Sequence, residues 1–188
     1  MRLFVALDVP SAVRATLSEL SAELRKLCPR ARWTRLEGVH VTLKFIGEIR
    51  DDLVENVRAV LEGIHGFRPI AMQFAGLGFF PSPRRPRVFW AGIHADPALG
   101  QLAATIETSL ERLGIPAEKR AFQPHLTLAR FESPQGAGKL LEAADRIGNR
   151  EFGHSVASEF YLYRSVLKPG GAEYTRLHAF PFEGDRPS

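Results

Sequence analysis

Two stretches, HVTLKF at residues 40–45 and HLTLAR at residues 125–130, decide how this chain is read. Either alone is an ordinary amphipathic strand. Side chains alternate between the faces of a strand, so the polar residues point to one side and the aliphatic residues to the other. Threonine is at home there. The repetition is what needs explaining. Six histidines and seven threonines in 188 residues give 6 × 7/188 ≈ 0.22 His-x-Thr matches by chance. Two are present, each with an aliphatic residue in the middle and Leu after it.

The surroundings repeat as well. RLFVAL (2–7) reads as a buried strand. A helix follows, opened by Pro10 and Ser11, with apolar residues recurring at Val13, Leu17, Leu20, Leu24 and Leu27. Next come the first motif strand, a helix over 50–63 with acidic residues in its first turn, and a strand over 70–80. The second half runs in the same order: strand 87–94, helix 96–114, motif strand 125–131, helix 138–148, strand 158–167. Val5 to His40 spans 35 residues and Val88 to His125 spans 37; His40 to Phe74 spans 34 and His125 to Phe160 spans 35. A closing strand over 174–182 has no partner in the first half, and the tail EGDRPS is expected to fray. The pattern predicts an α+β fold. One domain over 1–188 would hold two pseudo-twofold lobes, approximately 1–80 and 87–182. Each lobe would carry a small, mainly antiparallel sheet with outer helices, and the motif strands would face each other across a central cleft.

Composition narrows the setting. The chain is 45% hydrophobic and 24% charged, as soluble globular proteins are. No apolar run approaches the roughly 20 residues of a membrane span, and MRLFVALDVP lacks a signal-peptide pattern. The one cysteine, Cys28, excludes an internal disulfide and any Cys-rich zinc site. A cytoplasmic monomer that does not engage membranes is expected. The net charge of +4 and pI of about 9.6 favour anionic partners. Arg84, Arg85 and Arg87 concentrate that charge in the Pro-rich stretch PSPRRPR at 81–87.

Simple alternation puts His40, Thr42 and Lys44 on one face, and His125, Thr127 and Ala129 on the matching face of the second strand. Histidine titrates near neutrality, so of two imidazoles on one cleft, one can act as base and the other as acid. Two threonine hydroxyls beside them suit a tetrahedral anion such as a phosphodiester. Lys44 would add positive charge where the transition state gathers negative charge. The symmetry of the pair does not say which histidine gives the proton. Neither strand carries a third His or a carboxylate at metal-ligand spacing. HExxH, Gly-x-Ser-x-Gly and phosphate-loop motifs are all missing, so no metal and no cofactor are expected. His65, His94, His154 and His178 each stand alone and read as structural or surface residues.

Paired HVTL and HLTL motifs, 85 residues apart, resemble the 2H phosphoesterase superfamily. RLFVALDVP, HVTLKFIGE, FPSPRRPRVFWAGI and QPHLTLAR are similar to stretches of the bacterial and archaeal RNA 2′,3′-cyclic phosphodiesterases, also called 2′-5′ RNA ligases. The resemblance implies a hydrolase that opens a terminal ribose 2′,3′-cyclic phosphate to a 2′-phosphomonoester without metal or ATP. It implies His125 as proton acceptor, His40 as proton donor, and Thr42 and Thr127 on the non-bridging oxygens. In reverse, such a site joins a cyclic-phosphate end to a 5′-hydroxyl. The implied partner is an RNA with a 2′,3′-cyclic phosphate end. Substrate-binding roles are expected for Lys44, Arg84, Arg87 and Arg130, although alternation sets Arg130 on the opposite face. Phe122 is a candidate for stacking the terminal base, with Phe79 and Tyr163 as others. Two other readings stay open: a 2H phosphoesterase acting on a small cyclic or 2′-5′ nucleotide, and a non-catalytic RNA-binding module.

Overall fold

A computed structural model describes residues 1–133, 136–169 and 171–184, so most of the tail expected to fray lies outside the described residues. The chain runs β1 (Arg2–Asp8), α1 (Ser11–Arg25), β2 (Arg32–Trp33), β3 (His40–Glu48), α2 (Val54–Glu62), β4 (Ile70–Phe80), β5 (Val88–Ala95), α3 (Ala98–Glu111), β6 (His125–Arg130), α4 (Gly138–Ile147), β7 (Glu151–Ala157), β8 (Glu159–Lys168) and β9 (Gly171–Pro181). Two antiparallel sheets result, in the orders β3–β1–β8–β9 and β2–β6–β5–β4–β7. This is the expected α+β architecture.

The sheets do not follow the division at about 1–80 and 87–182. β4, the last strand of the first half, pairs with β5 of the second. β8 and β9, from the end of the chain, join β1 and β3. Each half therefore donates its closing strand to the other sheet. The helices cross the same boundary, α1 packing on β7 and α3 on β3. The physical reason is burial. β1 is covered on one flank by β3 and still needs a partner on the other, and β8 supplies it. Two strands have no clear signal in the sequence: β2 is only two residues long, and β7, which contains His154, lies at an edge beside β4, and its glycine and polar residues read as a turn.

The alternation within β1 shows how the layers are built. Leu3, Val5 and Leu7 enter a hydrophobic cluster that also takes in Val13 of α1, Leu61 of α2, Leu102 of α3, Leu140 of α4, and Phe74 and Phe89 of the other sheet. One core thus spans both sheets and all four helices. The opposite face of β1 carries Phe4 and Ala6, which cluster with Tyr161 and Tyr163 of β8. That second face is where the first motif lies, with His40 against Phe4.

Candidate active site

β3 and β6 adjoin where the two sheets meet. Both strands start on the motif histidine, and both carry the same irregularity. In β3, Thr42 pairs with Ala6 and Lys44 with Val5, leaving Leu43 as an extra residue. In β6, Thr127 pairs with Trp90 and Ala129 with Phe89, leaving Leu128 extra. Each is a β-bulge, and a bulge re-aims every side chain beyond it. His and Thr remain on the face away from the core in both strands, half-buried, while Val41, Leu43, Leu126 and Leu128 are buried. Beyond the bulge the simple alternation fails. Lys44 and Ala129 turn into the core, and Phe45 and Arg130 turn outward.

Two expectations are corrected by this. Lys44 is no substrate ligand: its Nζ donates 2.6 Å hydrogen bonds to Glu107 Oε1 and to the Pro116 carbonyl, and its side chain is 1% exposed. Its buried ammonium pairs with the half-buried Glu107 and ties β3 to α3. Arg130, set on the opposite face by counting, lies on the motif face instead, and its charge acts on His125. Phe122 also departs from its expected role; it is half-buried against the main core cluster, as an apolar residue flanking a motif strand can be. Phe79 is buried against Phe89 and Phe131. Arg84 and Arg85 are exposed, and Arg87 donates a 2.5 Å hydrogen bond to the Glu132 carbonyl. The loop that carries them follows Phe80, whose ring meets His125 edge-on at 4.9 Å.

His40 sits in an aromatic cage. Its ring centroid lies 4.3 Å from Tyr163, 5.4 Å from Tyr174 and 5.7 Å from Phe4. The Gly38 carbonyl favours the protonated ring, and Nε2 lies 4.0 Å from Asp8 Oδ1. Burial holds the imidazole below its ordinary pKa, Asp8 and the Gly38 carbonyl pull it back up, and Arg14 and Arg176 oppose them. Asp8 is itself fixed. Tyr163 Oη donates to Oδ1 at 2.5 Å, and Arg176 pairs with Oδ2. Burial and the bond to Asp8 push the Tyr163 phenol up to about 12, so the hydroxyl stays a donor near neutrality. Asp8, Tyr174 and Arg176 carry no motif in the sequence, and Tyr163 reads there only as a base-stacking candidate; all four sit on β1, β8 and β9, whose meeting at His40 nothing local announces.

His125 is held from the same side with fewer partners. Its Nδ1 lies 2.7 Å from the Gln123 carbonyl, which can only accept, so Nδ1 carries the hydrogen and the neutral ring presents a bare Nε2. Burial lowers its pKa, the Gln123 carbonyl raises it, and Arg130 lowers it further. The carbonyl two residues upstream of each histidine thus favours the protonated imidazole, and at His125 the hydrogen bond to it also sets the tautomer. Among the described residues neither Thr42 nor Thr127 spends its hydroxyl on a protein partner, and no three His, Cys, Asp or Glu side chains cluster as a metal site. No helix among them is long and apolar enough to cross a membrane.

This geometry has relatives. The LigT like phosphoesterase family profile matches residues 7–90 and 93–174, with one His-x-Thr motif in each segment. An RNA 2′,3′-cyclic phosphodiesterase of Methanothermobacter thermautotrophicus is 30% identical over 96% of this chain and 98% of its own. The crystal structure of a Thermus thermophilus protein superposes with a TM-score of 0.80 at 30% identity, covering 99% of this chain and 100% of that one. E. coli LigT in complex with 3′-AMP superposes with a TM-score of 0.76 at 25% identity, over 97% of this chain and 98% of that one. The paired motifs, their matching bulges and this likeness over nearly the whole length agree, and the chain belongs to the LigT like phosphoesterase family.

Proposed function

We propose that this protein hydrolyses the 2′,3′-cyclic phosphate at the end of an RNA to a 2′-phosphomonoester, with His125 as general base and His40 as general acid. The observation that carries the reading is the pair of equivalent bulged strands. They put an imidazole and an uncommitted threonine hydroxyl on the same face twice, where the sheets adjoin. The names borne by the relatives supply the substrate class.

Water attacks phosphorus in line with the P–O3′ bond. His125 Nε2, bare in the neutral ring, takes a proton from that water as the new P–O bond forms. As P–O3′ breaks, His40 delivers a proton to O3′, and the 2′-oxygen keeps the phosphate. Solvent then returns His125 to the neutral form and His40 to the protonated form. Thr42 and Thr127 donate to the non-bridging oxygens, and Arg130 offsets the charge gathered on them. With a 5′-hydroxyl in place of water as the nucleophile, the same steps join two RNA ends by a 2′-5′ linkage.

The test is product analysis. An RNA oligonucleotide ending in a 2′,3′-cyclic phosphate should give a 2′-phosphate end in the presence of a chelator. A 3′-phosphate end contradicts the assigned direction of cleavage, and loss of activity on chelation, restored by a metal ion, contradicts the metal-free mechanism. Efficient turnover of a mononucleoside cyclic phosphate with the oligonucleotide ignored would shift the substrate class to small nucleotides.

A further inference from the structure

The two motif histidines occupy equivalent positions, so something outside the motifs must break their symmetry. The register identifies it. His40 is paired across β1 with Asp8, and His125 is paired across β5 with Gly92. The aromatic ring behind each histidine is equivalent too. Tyr163 pairs with Phe4, which pairs with Phe45; Phe80 pairs with Val88, which pairs with Arg130. The first ring bears a hydroxyl and spends it on Asp8; the second has none. Nor could the second site hold an acid at the matching place. A Cβ on Gly92 would lie 2.6 Å from the backbone oxygen of Ala75.

We propose that Asp8, anchored by Tyr163 and Arg176, is a positioning residue that keeps the exchanging proton on His40 and so fixes which of the two equivalent histidines serves as the acid. The inference rests on the acid–base reading above. Asp8 Oδ1 stands 4.0 Å from His40 Nε2, near enough for an attraction that favours the imidazolium and too far for a direct hydrogen bond, so Nε2 stays available to O3′. Its other oxygen is occupied by Arg176, and Tyr163 holds Oδ1, so the carboxylate cannot swing in and capture the ring. Among the described residues, the other polar and charged groups facing His40 are Arg14 from α1, Tyr163 from β8, and Tyr174 and Arg176 from β9. Among them Asp8 is the one carboxylate, and the two arginines oppose it. On the His125 side the neighbouring charge is Arg130, which favours the neutral base. The asymmetry thus has the same direction at both ends of the proton's path.

Site-resolved NMR titration of His40 and His125 in the wild type, Asp8→Asn and Arg176→Gln tests this, with kcat/KM followed over the same pH range. In Asp8→Asn the His40 midpoint should fall by about half a pH unit or more, and the limb of the rate profile belonging to it should move with it. In Arg176→Gln, which removes an opposing cation, the midpoint should rise. The His125 midpoint should hold in both. Opposite shifts are something a merely structural role does not give. A His40 midpoint that stays put in Asp8→Asn, or moves the same way in both variants, overturns the proposal. Should Asp8→Asn fail to fold, Arg176→Gln decides alone, and a midpoint that does not rise is the contrary result. The underlying reading fails separately: an active His40→Ala variant sinks the acid–base mechanism itself, whereas an inactive one with unresponsive midpoints sinks only the role of Asp8.

Discussion

The half-site around His40 and the half-site around His125 share a backbone and differ in almost everything laid upon it. Both strands begin on the histidine, both bulge one residue after the threonine, and in both the carbonyl two residues upstream favours the protonated imidazole. Upon that common frame, Asp8 takes the place held by Gly92 in the other half-site, Tyr163 that of Phe80, Tyr161 that of Gly78, Ala6 that of Trp90, and Phe45 that of Arg130. One side is an aromatic cage closed by a carboxylate. On the other, the Trp90 indole lies where a side chain on Gly78 would be: a Cβ there would come within 2.2 Å of it. The duplicated fold supplies two equivalent places for an imidazole. The side chains added from neighbouring strands make one a proton donor and the other an acceptor.

Substitutions in the two half-sites test how much they share. The largest effect is expected from the common frame. His40→Ala and His125→Ala should each cost 10²- to about 10⁴-fold in cyclic-phosphate hydrolysis, with circular dichroism unchanged. A large loss in one variant and near-normal rates in the other would mean that the sites do not work as a pair. Lys44 comes next, and its effect belongs to stability. Truncating the buried Lys44 removes its hydrogen bonds to the half-buried Glu107, which keeps the Glu118 N–H, and to the Pro116 carbonyl, so Lys44→Ala should lower the unfolding free energy by about 2 kcal/mol in a urea titration. Its KM should hold, because the ammonium lies in the core and not at the phosphate. Thr42→Val and Thr127→Val keep shape and lose a donor, and each should reduce kcat about tenfold, in line with the loss of one hydrogen bond to a charged group. Unequal losses would show that the non-bridging oxygens lean toward one strand. The smallest effect is expected from Arg130→Gln. The cation disfavours protonation of His125, so its removal should raise the His125 midpoint by less than one pH unit and leave that of His40 alone. A fall, or a shift confined to His40, would put Arg130 elsewhere than on the motif face.

Much of this is legible in the chain. The strands β1, β3, β4, β5, β6 and β8 and the four helices lie where the apolar periodicity and the breakers put them, within a few residues. The motif pair marks the four central residues. What fails does so for identifiable reasons. Lys44 and Arg130 exchange faces because a bulge inserts one residue into the count, and HVTLKF and HLTLAR carry no glycine to mark it. The exchange of β4 and β8 between sheets is invisible in a repeat, because either pairing preserves the order of elements. Asp8 reads as a polar residue ending a strand, ahead of Pro10. Its meaning depends on Tyr163 and Arg176, more than 150 residues away. Setting FVALD (4–8) residue by residue against VFWAG (88–92) leaves an acid opposite a glycine, which is the one local trace of it.

Acid and base can be separated by chemistry. In an RNA whose terminal 2′,3′-cyclic phosphate carries sulfur in place of the bridging 3′-oxygen, the leaving thiolate needs no proton. Hydrolysis of this substrate and of its oxygen parent should be measured side by side in wild type, His40→Ala and His125→Ala. Most of the His40→Ala deficit should disappear on the sulfur substrate, while that of His125→Ala should persist. Rescue of His125→Ala instead would reverse the two roles, and equal behaviour of the two variants would contradict a division of labour between them.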